Sequence, residues 1–348
     1  MKITGFSMKK VLLTGGNGFI AKHILVDLVN AGYSVNVTLR DPSVVDILKQ
    51  NLKSHIKTFD QVQFFEADLE LDQGWSEAIK GCEGIIHTAS PTPMSSGNDI
   101  ESYLLASKDG TLRILKLALE QKVSRIVITS SIAALIYQDN RESVHTFNEE
   151  SRSDPTMSNI GLYGQSKTIT DNAVWSFAKE NKMTGAITCI YPGLVLGPCL
   201  DARLNISTLY LNQLLNGAFP LAPNFSWPIV DVRDVSKIHL MAVHKPRFGG
   251  EKVILGEGSY SLLDISDIIK DKFPQFKDRL PKGELPEFLS KLLGYIDPKI
   301  KNVLGDLGVQ LEANNKLSKS IVGDIELIDP EESIIDTVNS LIKMKLVN

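Results

Sequence analysis

Tyr163 and Lys167 form the pair of side chains whose types and spacing point most directly to chemistry. Residues four positions apart share one face of a helix, so the phenol and the ammonium group point the same way. A tyrosine has a pKa of about 10 in water, and a nearby cation lowers that pKa because it favours the phenolate. The pair therefore predicts a group that exchanges a proton with a carbonyl oxygen near neutral pH. The alternative is an amphipathic helix with an interfacial tyrosine and a solvated lysine.

Two serines, Ser130 and Ser131, end a β-rich run that begins at Arg125. A hydroxyl group at the carboxyl end of a strand can donate a hydrogen bond to a substrate oxygen and stabilise the charge that develops there. The alternative is that both hydroxyls only satisfy the end of the strand. Together with the tyrosine and the lysine, the serines predict acid–base chemistry on a carbonyl or an alcohol.

A glycine-rich turn follows the first predicted strand, in the sequence Val11-Leu-Leu-Thr-Gly-Gly-Asn-Gly-Phe-Ile-Ala21. Its glycines let backbone N–H groups approach a pyrophosphate at the N-terminus of the next helix, and Ala21 lets that helix pack closely on the strand. A glycine turn between a strand and a helix predicts dinucleotide binding, whereas a tight turn without a ligand is the alternative. The expected contact residues are Gly15, Asn17, Gly18, Phe19 and Ile20.

The end of the second predicted strand, Leu39-Arg40-Asp41, indicates which dinucleotide to expect. An acidic residue there binds the ribose 2′-hydroxyl of NAD(H), whereas an arginine offers a planar guanidinium to the 2′-phosphate of NADP(H). We therefore expect Arg40 to favour NADP(H). A solvated Arg40 paired with Asp41 is the alternative, and an inward-pointing Asp41 would weaken the preference.

Two more loops follow strands at the same edge of the predicted sheet, where ligands of open α/β sheets collect. Asp68 and Leu69 follow the third strand and are candidates for contacts to adenine, although a simple turn carboxylate fits Asp68 equally well. His87 ends the fourth strand, and we interpret it as a packed core histidine. The expected contact residues that follow it are Thr88, Ala89 and Ser90.

The elements that must position these residues alternate between short strands and longer helices. Strands are predicted at residues 11–14, 34–39, 62–65, 84–87, 125–130 and 186–191, and helices at 104–119 and 162–180. This alternation predicts an α/β fold, a Rossmann doubly wound parallel sheet covered on both faces.

After Pro192 the alternation breaks, and glycine, proline and asparagine become common up to residue 228. A strand at 227–230, a helix at 235–243 and a β-rich run at 252–255 then follow. We expect residues 1–193 and about 228–256 to form the dinucleotide-binding domain. Residues about 194–227 and 257–348 are expected to form a smaller C-terminal substrate-binding lobe.

Composition argues against several functions. The net charge is −4, and no block of lysine or arginine predicts a nucleic-acid or membrane partner. No apolar run reaches the roughly 18 residues of a membrane span, and the first residues lack the pattern of a secretory signal. Cys82, Cys189 and Cys199 fit no metal-binding spacing, so we expect no metal and buried thiols. A reducing, cytoplasmic location fits such thiols best.

These motifs resemble those of the short-chain dehydrogenase/reductase superfamily, in its extended branch. Within that branch the sequence is similar to the dihydroflavonol reductase, cinnamoyl-CoA reductase and yeast-type methylglyoxal reductase group. The similarity is carried by residues 14–21, 87–91, 191–198 and 229–235, with His239 following. It covers most of residues 8–255 and weakens beyond them.

The resemblance implies reversible reduction of an aldehyde or ketone to an alcohol, with NADP(H) as cofactor and NAD(H) less expected. It implies that Tyr163 is the acid/base, that Lys167 lowers its pKa and binds the nicotinamide ribose, and that Ser131 polarises the carbonyl. Arg40 would contact the 2′-phosphate. The residues implied to line the nicotinamide, through backbone groups, are Pro192, Gly193 and Val195.

The substrate is expected to lie among residues 91–100, 132–137 and 194–225. Apolar side chains are common in and next to these segments, which favours a small uncharged substrate, although an ordinary lobe core is the alternative. They include Met94, Tyr137, Phe219, Phe225 and Trp227.

Two features depart from the group. Asp109 stands where relatives often carry an asparagine that steadies the active site, and few basic residues follow Arg40. Two other functions stay open at this point. A nucleotide-sugar epimerase or dehydratase with bound NAD is disfavoured by Arg40 and by residues 88–91. A non-enzymatic NADP(H)-sensing protein is disfavoured by the intact serine, tyrosine and lysine. Monomer and homodimer are equally open.

Overall fold

The structure is a computed structural model that describes residues 10–91, 100–139, 141–157, 159–286 and 304–347. The chain folds into two compact units. The first comprises Met1–Ser130, Thr170–Ile190 and Ser236–Lys252, and the second comprises Ser131–Ile169, Tyr191–Val235 and Val253–Asn348. The predicted division into a dinucleotide-binding domain and a substrate-binding lobe concerns function and stays a prediction.

The strands and helices follow in chain order. The strands are β1 (Lys10–Thr14), β2 (Ser34–Leu39), β3 (Val62–Glu66), β4 (Gly84–His87), β5 (Arg125–Thr129), β6 (Val144–Phe147), β7 (Ile187–Pro192), β8 (Leu194–Leu196), β9 (Ala222–Pro223), β10 (Ser226–Asp231), β11 (Lys252–Leu255), β12 (Glu257–Ser261), β13 (Glu284–Leu285) and β14 (Gln310–Ala313). The helices are α1 (Phe19–Asn30), α2 (Val45–Leu52), α3 (Trp75–Ile79), α4 (Ile100–Glu120), α5 (Gly161–Glu180), α6 (Ile206–Leu215), α7 (Val232–His244), α8 (Leu262–Lys272), α9 (Lys316–Val322) and α10 (Pro330–Lys343).

A seven-stranded sheet in the order β11-β7-β5-β4-β1-β2-β3 forms the centre of the first unit, and β7 and β11 extend past its limits. Neighbouring strands pair in parallel throughout the part of the sheet from β7 through β5, β4, β1 and β2 to β3. The strand order reverses between β1 and β4, which is where open α/β sheets bind their ligands. The predicted doubly wound Rossmann-type sheet is confirmed.

The central strands are apolar because helices cover both of their faces. Val11, Leu12 and Leu13 of β1 have no exposed surface. In α1 the buried side chains include Ile24 and Leu28, which share one face of the helix at a spacing of four. This packing fixes where β1 ends and α1 begins, and hence the position of the glycine turn.

The second unit contains a five-stranded sheet in the order β12-β10-β14-β6, with β8 paired to β10. β10 pairs antiparallel with β12 and parallel with β8 and β14. The register between β10 and β12 shifts between Trp227 and Ile229, at Pro228, which has no N–H group to donate to a ladder. Side chains of α6, α8 and α10 pack into one apolar cluster, with Leu211, Ile265 and Ile334 among its members.

Several elements of this unit were missed by the sequence analysis. The segment predicted as irregular, residues 193–228, contains β8 and α6. Asn205 begins α6 with a reciprocal cap, since its side chain accepts from the Thr208 backbone at 2.7 Å and Thr208 Oγ1 accepts from the Asn205 backbone at 3.0 Å. Two polar residues three positions apart are a signal for the start of a helix. The prediction missed it because it relied on the high glycine, proline and asparagine content of the segment.

None of the helices in the described part of the chain combines the length and apolar character needed to cross a membrane. Cys82, Cys189 and Cys199 are all buried thiols outside any disulfide. Burial raises the pKa of the Cys82 thiol to about 11.

Candidate active site

The turn between β1 and α1, in the first unit, is shaped for the close approach of a ligand to backbone. Gly15 has φ +67°, and a Cβ there would lie 3.0 Å from the Ala89 Cα atom. A Cβ on Gly16 would overlap with the Val37 side chain. Gly18 precedes α1 and supplies no side-chain cap, so the first N–H groups of the helix have no acceptor from that residue. A pyrophosphate fits this cradle.

The other predicted contact residues of the turn differ in exposure. Asn17 and Ile20 are half-buried, whereas Phe19 is 6% exposed and packs edge-on against the His23 ring at 5.7 Å. Asn17 and Ile20 therefore offer side-chain surface at the turn, and Phe19 offers its backbone.

A buried polar network holds the loop after β4 against this turn. The Thr14 hydroxyl accepts from the backbone N–H groups of Thr88 and Ala89 at 3.1 and 3.0 Å, and it lies 2.8 Å from His87 Nδ1. The Thr88 hydroxyl donates to the Thr14 carbonyl at 2.6 Å. Ser90 is half-buried, with its hydroxyl 3.4 Å from the Pro91 carbonyl. Thr88 and Ala89 are thus fixed beside Gly15.

Both ring nitrogens of His87 lie within hydrogen-bond distance of a buried hydroxyl group. Thr111 donates its hydroxyl proton to the Ser107 carbonyl, so it can only accept from His87 Nε2, which lies 3.2 Å away. His87 is 3% exposed, so it is a packed core histidine that links β1, the loop after β4 and α4, as predicted from the sequence.

Arg40 lies directly after β2 with an exposed side chain and makes no ion pair within the residues that the structure describes. Asp41 is exposed, and its carboxylate accepts from the Ser43 N–H group at 2.9 Å. These hydrogen bonds with Ser43 lower the pKa of Asp41. The carboxylate is therefore engaged with its own turn, and the Arg40 guanidinium stays available to an anionic ligand.

Asp68 and Leu69 lie in the loop after β3, and both are half-buried. The Asp68 carboxylate accepts from the Glu70 N–H group at 3.0 Å, which is the geometry of a turn carboxylate. Arg113 donates to the Leu69 carbonyl and pairs with Asp72. The Asp109 side chain on α4 is 51% exposed and lies 3.3 Å from Lys108 Nζ.

Ser131, in the second unit, is 8% exposed and begins the short 3-10 helix Ile132–Ala134. Its Oγ accepts from the Ala133 N–H group at 3.2 Å. Since the hydroxyl is held as an acceptor from one side, its proton is left to donate to a ligand oxygen.

Tyr163 and Lys167 lie on the first turns of α5, also in the second unit, and share one face of the helix. The Lys167 Nζ atom is 5.8 Å from the centroid of the Tyr163 ring. The Tyr163 side chain is 38% exposed, so its hydroxyl is accessible. The predicted acid–base pair is therefore brought together, with the ammonium group beside the phenol.

Pro192, Gly193 and Val195 span the junction of β7 and β8. Pro192 is buried and Val195 is 6% exposed, paired with Val230 of β10. The Gly193 N–H group donates to the Leu255 carbonyl at 2.8 Å. Because both side chains are buried, Pro192 and Val195 can face a ligand only through their backbone groups.

Two buried polar clusters, one in each unit, were missed by the sequence analysis. In the first unit, Asp171 accepts from Ser130 Oγ at 3.1 Å and pairs with Lys252 Nζ at 3.4 Å. In the second unit, the Tyr137 hydroxyl donates to Asp306 Oδ2 at 3.2 Å. Asp171 could have been found, because it lies four residues after Lys167 on the same helix face. Asp306 lies 169 residues from Tyr137 and gives no local signal.

The predicted substrate segments are described in part. Residues 92–99, with Met94, lie outside the described residues. Phe225 is 4% exposed and lies 4.4 Å from the half-buried Trp227, ring centroid to centroid. Tyr210 stacks on Phe219 at 5.2 Å and meets Trp227 edge-on at 6.4 Å. These rings form an aromatic cluster within the second unit.

A cavity of about 750 Å³ opens in the first unit, at the amino ends of β4, β5 and β7. Its cationic side chains include Lys122 and Lys182, which directly follow the last turns of α4 and α5. Cations at these positions offset the negative ends of the two helices, so we assign no chemistry to this cavity. Within the described ranges, no group of three or more His, Cys, Asp or Glu residues is arranged to hold a metal.

A doubly wound parallel sheet with a glycine turn after β1, together with a Ser–Tyr–Lys set, defines the class of short-chain dehydrogenases/reductases. The comparisons with known proteins agree. The family model described as "NAD dependent epimerase/dehydratase family" matches residues 11–256, and the chain belongs to this family. The resemblance to the extended branch is confirmed.

The relatives share nearly the whole chain. Ketoreductase azaE of Aspergillus niger is 32% identical over 323 residues, covering 86% of this chain and 94% of that protein. Cinnamoyl-CoA reductase 1 of Arabidopsis thaliana is 29% identical over 337 residues, covering 96% and 89%. The crystal structure of yeast methylglyoxal/isovaleraldehyde reductase Gre2 complexed with NADPH superimposes with a TM-score of 0.77 at 26% identity, covering 97% of this chain and 99% of that one.

Proposed function

We propose that this protein is an NADPH-dependent reductase that converts a small, uncharged aldehyde or ketone into an alcohol, reversibly. The observation that carries the proposal is the pairing of an accessible Tyr163 phenol with the Lys167 ammonium group at 5.8 Å. Names of relatives support it, since a ketoreductase and a methylglyoxal/isovaleraldehyde reductase complexed with NADPH are similar over most of the chain.

The residues of the first unit fit the dinucleotide. We assign the pyrophosphate to the backbone of Gly15 and Gly18, where a Cβ on Gly15 would press against Ala89. We assign the 2′-phosphate to Arg40, whose guanidinium is exposed and without an ion pair among the described residues. Thr88 and Ala89, held by Thr14, complete the dinucleotide-binding edge.

The nicotinamide, when bound, supplies a hydride to the carbonyl carbon. Tyr163 then gives its phenolic proton to the carbonyl oxygen, so that carbon gains the hydride and oxygen gains the proton. The Ser131 hydroxyl donates a hydrogen bond to the same oxygen and stabilises the charge that develops on it. The Lys167 ammonium group stabilises the phenolate left on Tyr163.

The remaining assignments are also proposals. Residues 1–193 and about 228–256 would form the dinucleotide-binding domain, and about 194–227 and 257–348 the substrate-binding lobe, with its aromatic cluster favouring an apolar substrate. Three buried thiols outside any disulfide support a reducing, cytoplasmic location.

The test is the loss of NADPH absorbance with a panel of aldehydes, α-dicarbonyls and aryl ketones, run in parallel with NADH. Rapid oxidation of NADPH with at least one carbonyl is the expected result. Preference for NADH would keep the chemistry and overturn the role of Arg40. No oxidation of either cofactor, with NAD retained by the purified protein, would favour a nucleotide-sugar epimerase instead.

A further inference from the structure

A buried cluster of Tyr137, Arg141 and Asp306 lies within the second unit. The Tyr137 hydroxyl donates to Asp306 Oδ2 at 3.2 Å, and Arg141 Nη1 lies 3.6 Å from Asp306 Oδ1. The guanidinium of Arg141 also lies over the Tyr137 ring, 4.9 Å from its centroid. The side chains of Arg141 and Asp306 are 6% and 4% exposed. Charges this deeply buried are costly unless they are paired, so the geometry of the cluster is tightly constrained.

The Tyr137 ring is packed against the first turn of α5. A Cβ on Gly164 would lie 2.7 Å from Tyr137 Cε2, so only glycine lets the ring and the helix approach this closely. Gly164 directly follows Tyr163 in the chain. The ring of Tyr137 therefore supports the backbone that carries the acid–base phenol.

Tyr137 is held from its backbone as well. Its N–H group donates to Ser153 Oγ at 2.9 Å, and its carbonyl accepts from the Asp154 N–H group at 2.8 Å. The backbone is thus fixed, and the direction of the ring is set by the hydroxyl hydrogen bond to Asp306.

Electrostatics link the same groups. Burial, followed by the charge of Asp306, raises the pKa of Tyr137 well above its ordinary value, so this phenol keeps its proton and remains a donor. The charge of Tyr163 raises the pKa of Tyr137 further, which places the two phenols within electrostatic reach. Burial raises the pKa of the Asp306 carboxyl to about 6, against the opposing charge of Arg141.

We propose that Asp306 is a positioning residue for the acid–base tyrosine, acting through the Tyr137 ring that supports Gly164. The inference rests on the proposed function and adds two residues to it, Tyr137 and Asp306, that act through the position of Tyr163. Asp306 orients the ring by its hydrogen bond, and the ring fixes the first turn of α5 and thereby the Tyr163 hydroxyl. Misplacing a proton donor by a small distance lowers the rate of the chemical step more than it weakens substrate binding.

The first experiment compares Asp306→Asn, Tyr137→Phe and the double variant with the unchanged chain. We expect each single variant to lower kcat about tenfold, with KM for the carbonyl and Kd for NADPH changed less than about twofold. The double variant should lose no more than either single variant, because the two residues act as one unit. Fully additive losses, or an unchanged kcat, would overturn the proposal.

A control variant separates positioning from general loss of stability. Glu149 is also a buried carboxylate of the second unit, and it accepts from the Ser318 backbone at 2.9 Å and from the Ser318 hydroxyl. Glu149→Gln should lower the melting temperature and leave kcat within about twofold of the unchanged chain. An equal fall in kcat in Glu149→Gln would reduce Asp306 to a structural residue.

The pH profile gives a second readout. The titratable and charged groups around Asp306 are Tyr137, Arg141 and, through Tyr137, Tyr163, while His145 faces Arg141. In the unchanged chain, kcat should fall below about pH 6, where Asp306 takes up a proton and the hydrogen bond from Tyr137 loses its charge. Asp306→Asn should lack this fall, and its persistence in that variant would contradict the proposal.

A third readout needs no turnover, so it stands even if the proposed reductase activity fails. The position of the Tyr163 ring is followed by NMR in a chain carrying ring-labelled tyrosine, with its resonances assigned by their loss in Tyr163→Phe. Asp306→Asn should move these resonances, because the first turn of α5 packs on the Tyr137 ring, whereas Glu149→Gln should leave them in place. If no carbonyl is reduced but these resonances move, the proposed function fails and the link between Asp306 and Tyr163 holds. Unmoved resonances in Asp306→Asn overturn the link.

Discussion

At the scale of single residues, the predicted catalytic groups differ in how the fold holds them. Ser131 is buried and held by the Ala133 N–H group, so its hydroxyl has one direction left in which to donate. Tyr163 is 38% exposed and has a cation beside its ring. A fixed donor and an accessible proton source are the two groups that carbonyl reduction requires from a protein.

Replacing Tyr163 by phenylalanine removes the proton donor and keeps the ring. We expect kcat to fall about 10²- to 10⁴-fold, the usual contribution of a general acid, with the Kd for NADPH unchanged. Steady-state kinetics and fluorescence titration measure the two quantities. Tyr33→Phe, which removes a phenol hydroxyl in the first unit, is the control and should retain full activity. Turnover at the original rate in Tyr163→Phe would rule out its role.

Arg40→Ala tests the choice of cofactor. A lost charge-assisted contact to the 2′-phosphate costs about 1.5–3 kcal/mol, so KM for NADPH should rise roughly tenfold to a hundredfold. KM for NADH, which lacks that phosphate, should stay the same. Lys57→Ala removes an exposed cation elsewhere in the first unit and should change neither value. Equal effects of Arg40→Ala on both cofactors would contradict the assignment.

Asp306 also makes the stability of the chain depend on pH. Burial raises its pKa from 3.8 to about 6, so the folded chain binds this proton more readily than the unfolded chain does. Protonated Asp306 therefore contributes its full stabilisation below about pH 4, and this contribution is lost as the pH rises through 6. The free energy of unfolding falls by about 3 kcal/mol over this range. Urea unfolding of the unchanged chain and of Asp306→Asn from about pH 4 to pH 8 measures the difference. A difference that is independent of pH would refute this.

At the scale of elements, the β1–α1 turn is both a tight bend of the backbone and the proposed pyrophosphate site. Gly15→Ala places a side chain at φ +67° and against Ala89, so we expect destabilisation above about 1 kcal/mol and at least tenfold weaker NADPH binding. Gly32→Ala is a matched control, since Gly32 has φ +87° and no atom within 4 Å of an added Cβ. It should lose about 1 kcal/mol of stability and keep the affinity for NADPH. Similar affinity losses in both variants would show that the contact with Ala89 is unimportant.

Elements with strong local patterns were predictable from the sequence. Strands β1, β2, β4 and β5 and helix α5 lie within one or two residues of their predicted limits. β1, β4 and β5 contain short apolar runs, and β2 alternates polar with apolar residues, which are both recognisable strand patterns. The sheet of the second unit was not predictable, because it pairs β14 with β6 across more than 160 residues. Tyr137 and Asp306 meet only through that long-range topology, so Tyr163 and Lys167 could be predicted from the sequence and the residues that support them could not.

At the scale of the whole molecule, ligand binding should appear as added stability. A ligand that binds only the folded chain stabilises it by about 2.7 kcal/mol at a concentration one hundred times its Kd. NADPH at that concentration should therefore raise the melting temperature of the unchanged chain by several degrees. The same NADPH concentration should raise the melting temperature of Arg40→Ala much less. Differential scanning calorimetry measures both. Equal stabilisation by the same concentration of NADH would contradict a preference for NADPH.

The three buried thiols, none of them in a disulfide, allow the opening rate of each unit to be measured by chemical labelling. A thiol is alkylated as its thiolate, and burial keeps Cys82 protonated at neutral pH, with a pKa of about 11. Labelling should therefore wait for opening, and the rate at each sulfur reports the opening of its surroundings. The labelling rates of Cys82 and Cys189 report the opening of the first unit, and that of Cys199 reports the opening of the second. Mass spectrometry of the alkylated peptides over several hours would tell whether the two units open together or one before the other, with no cysteine introduced into the chain.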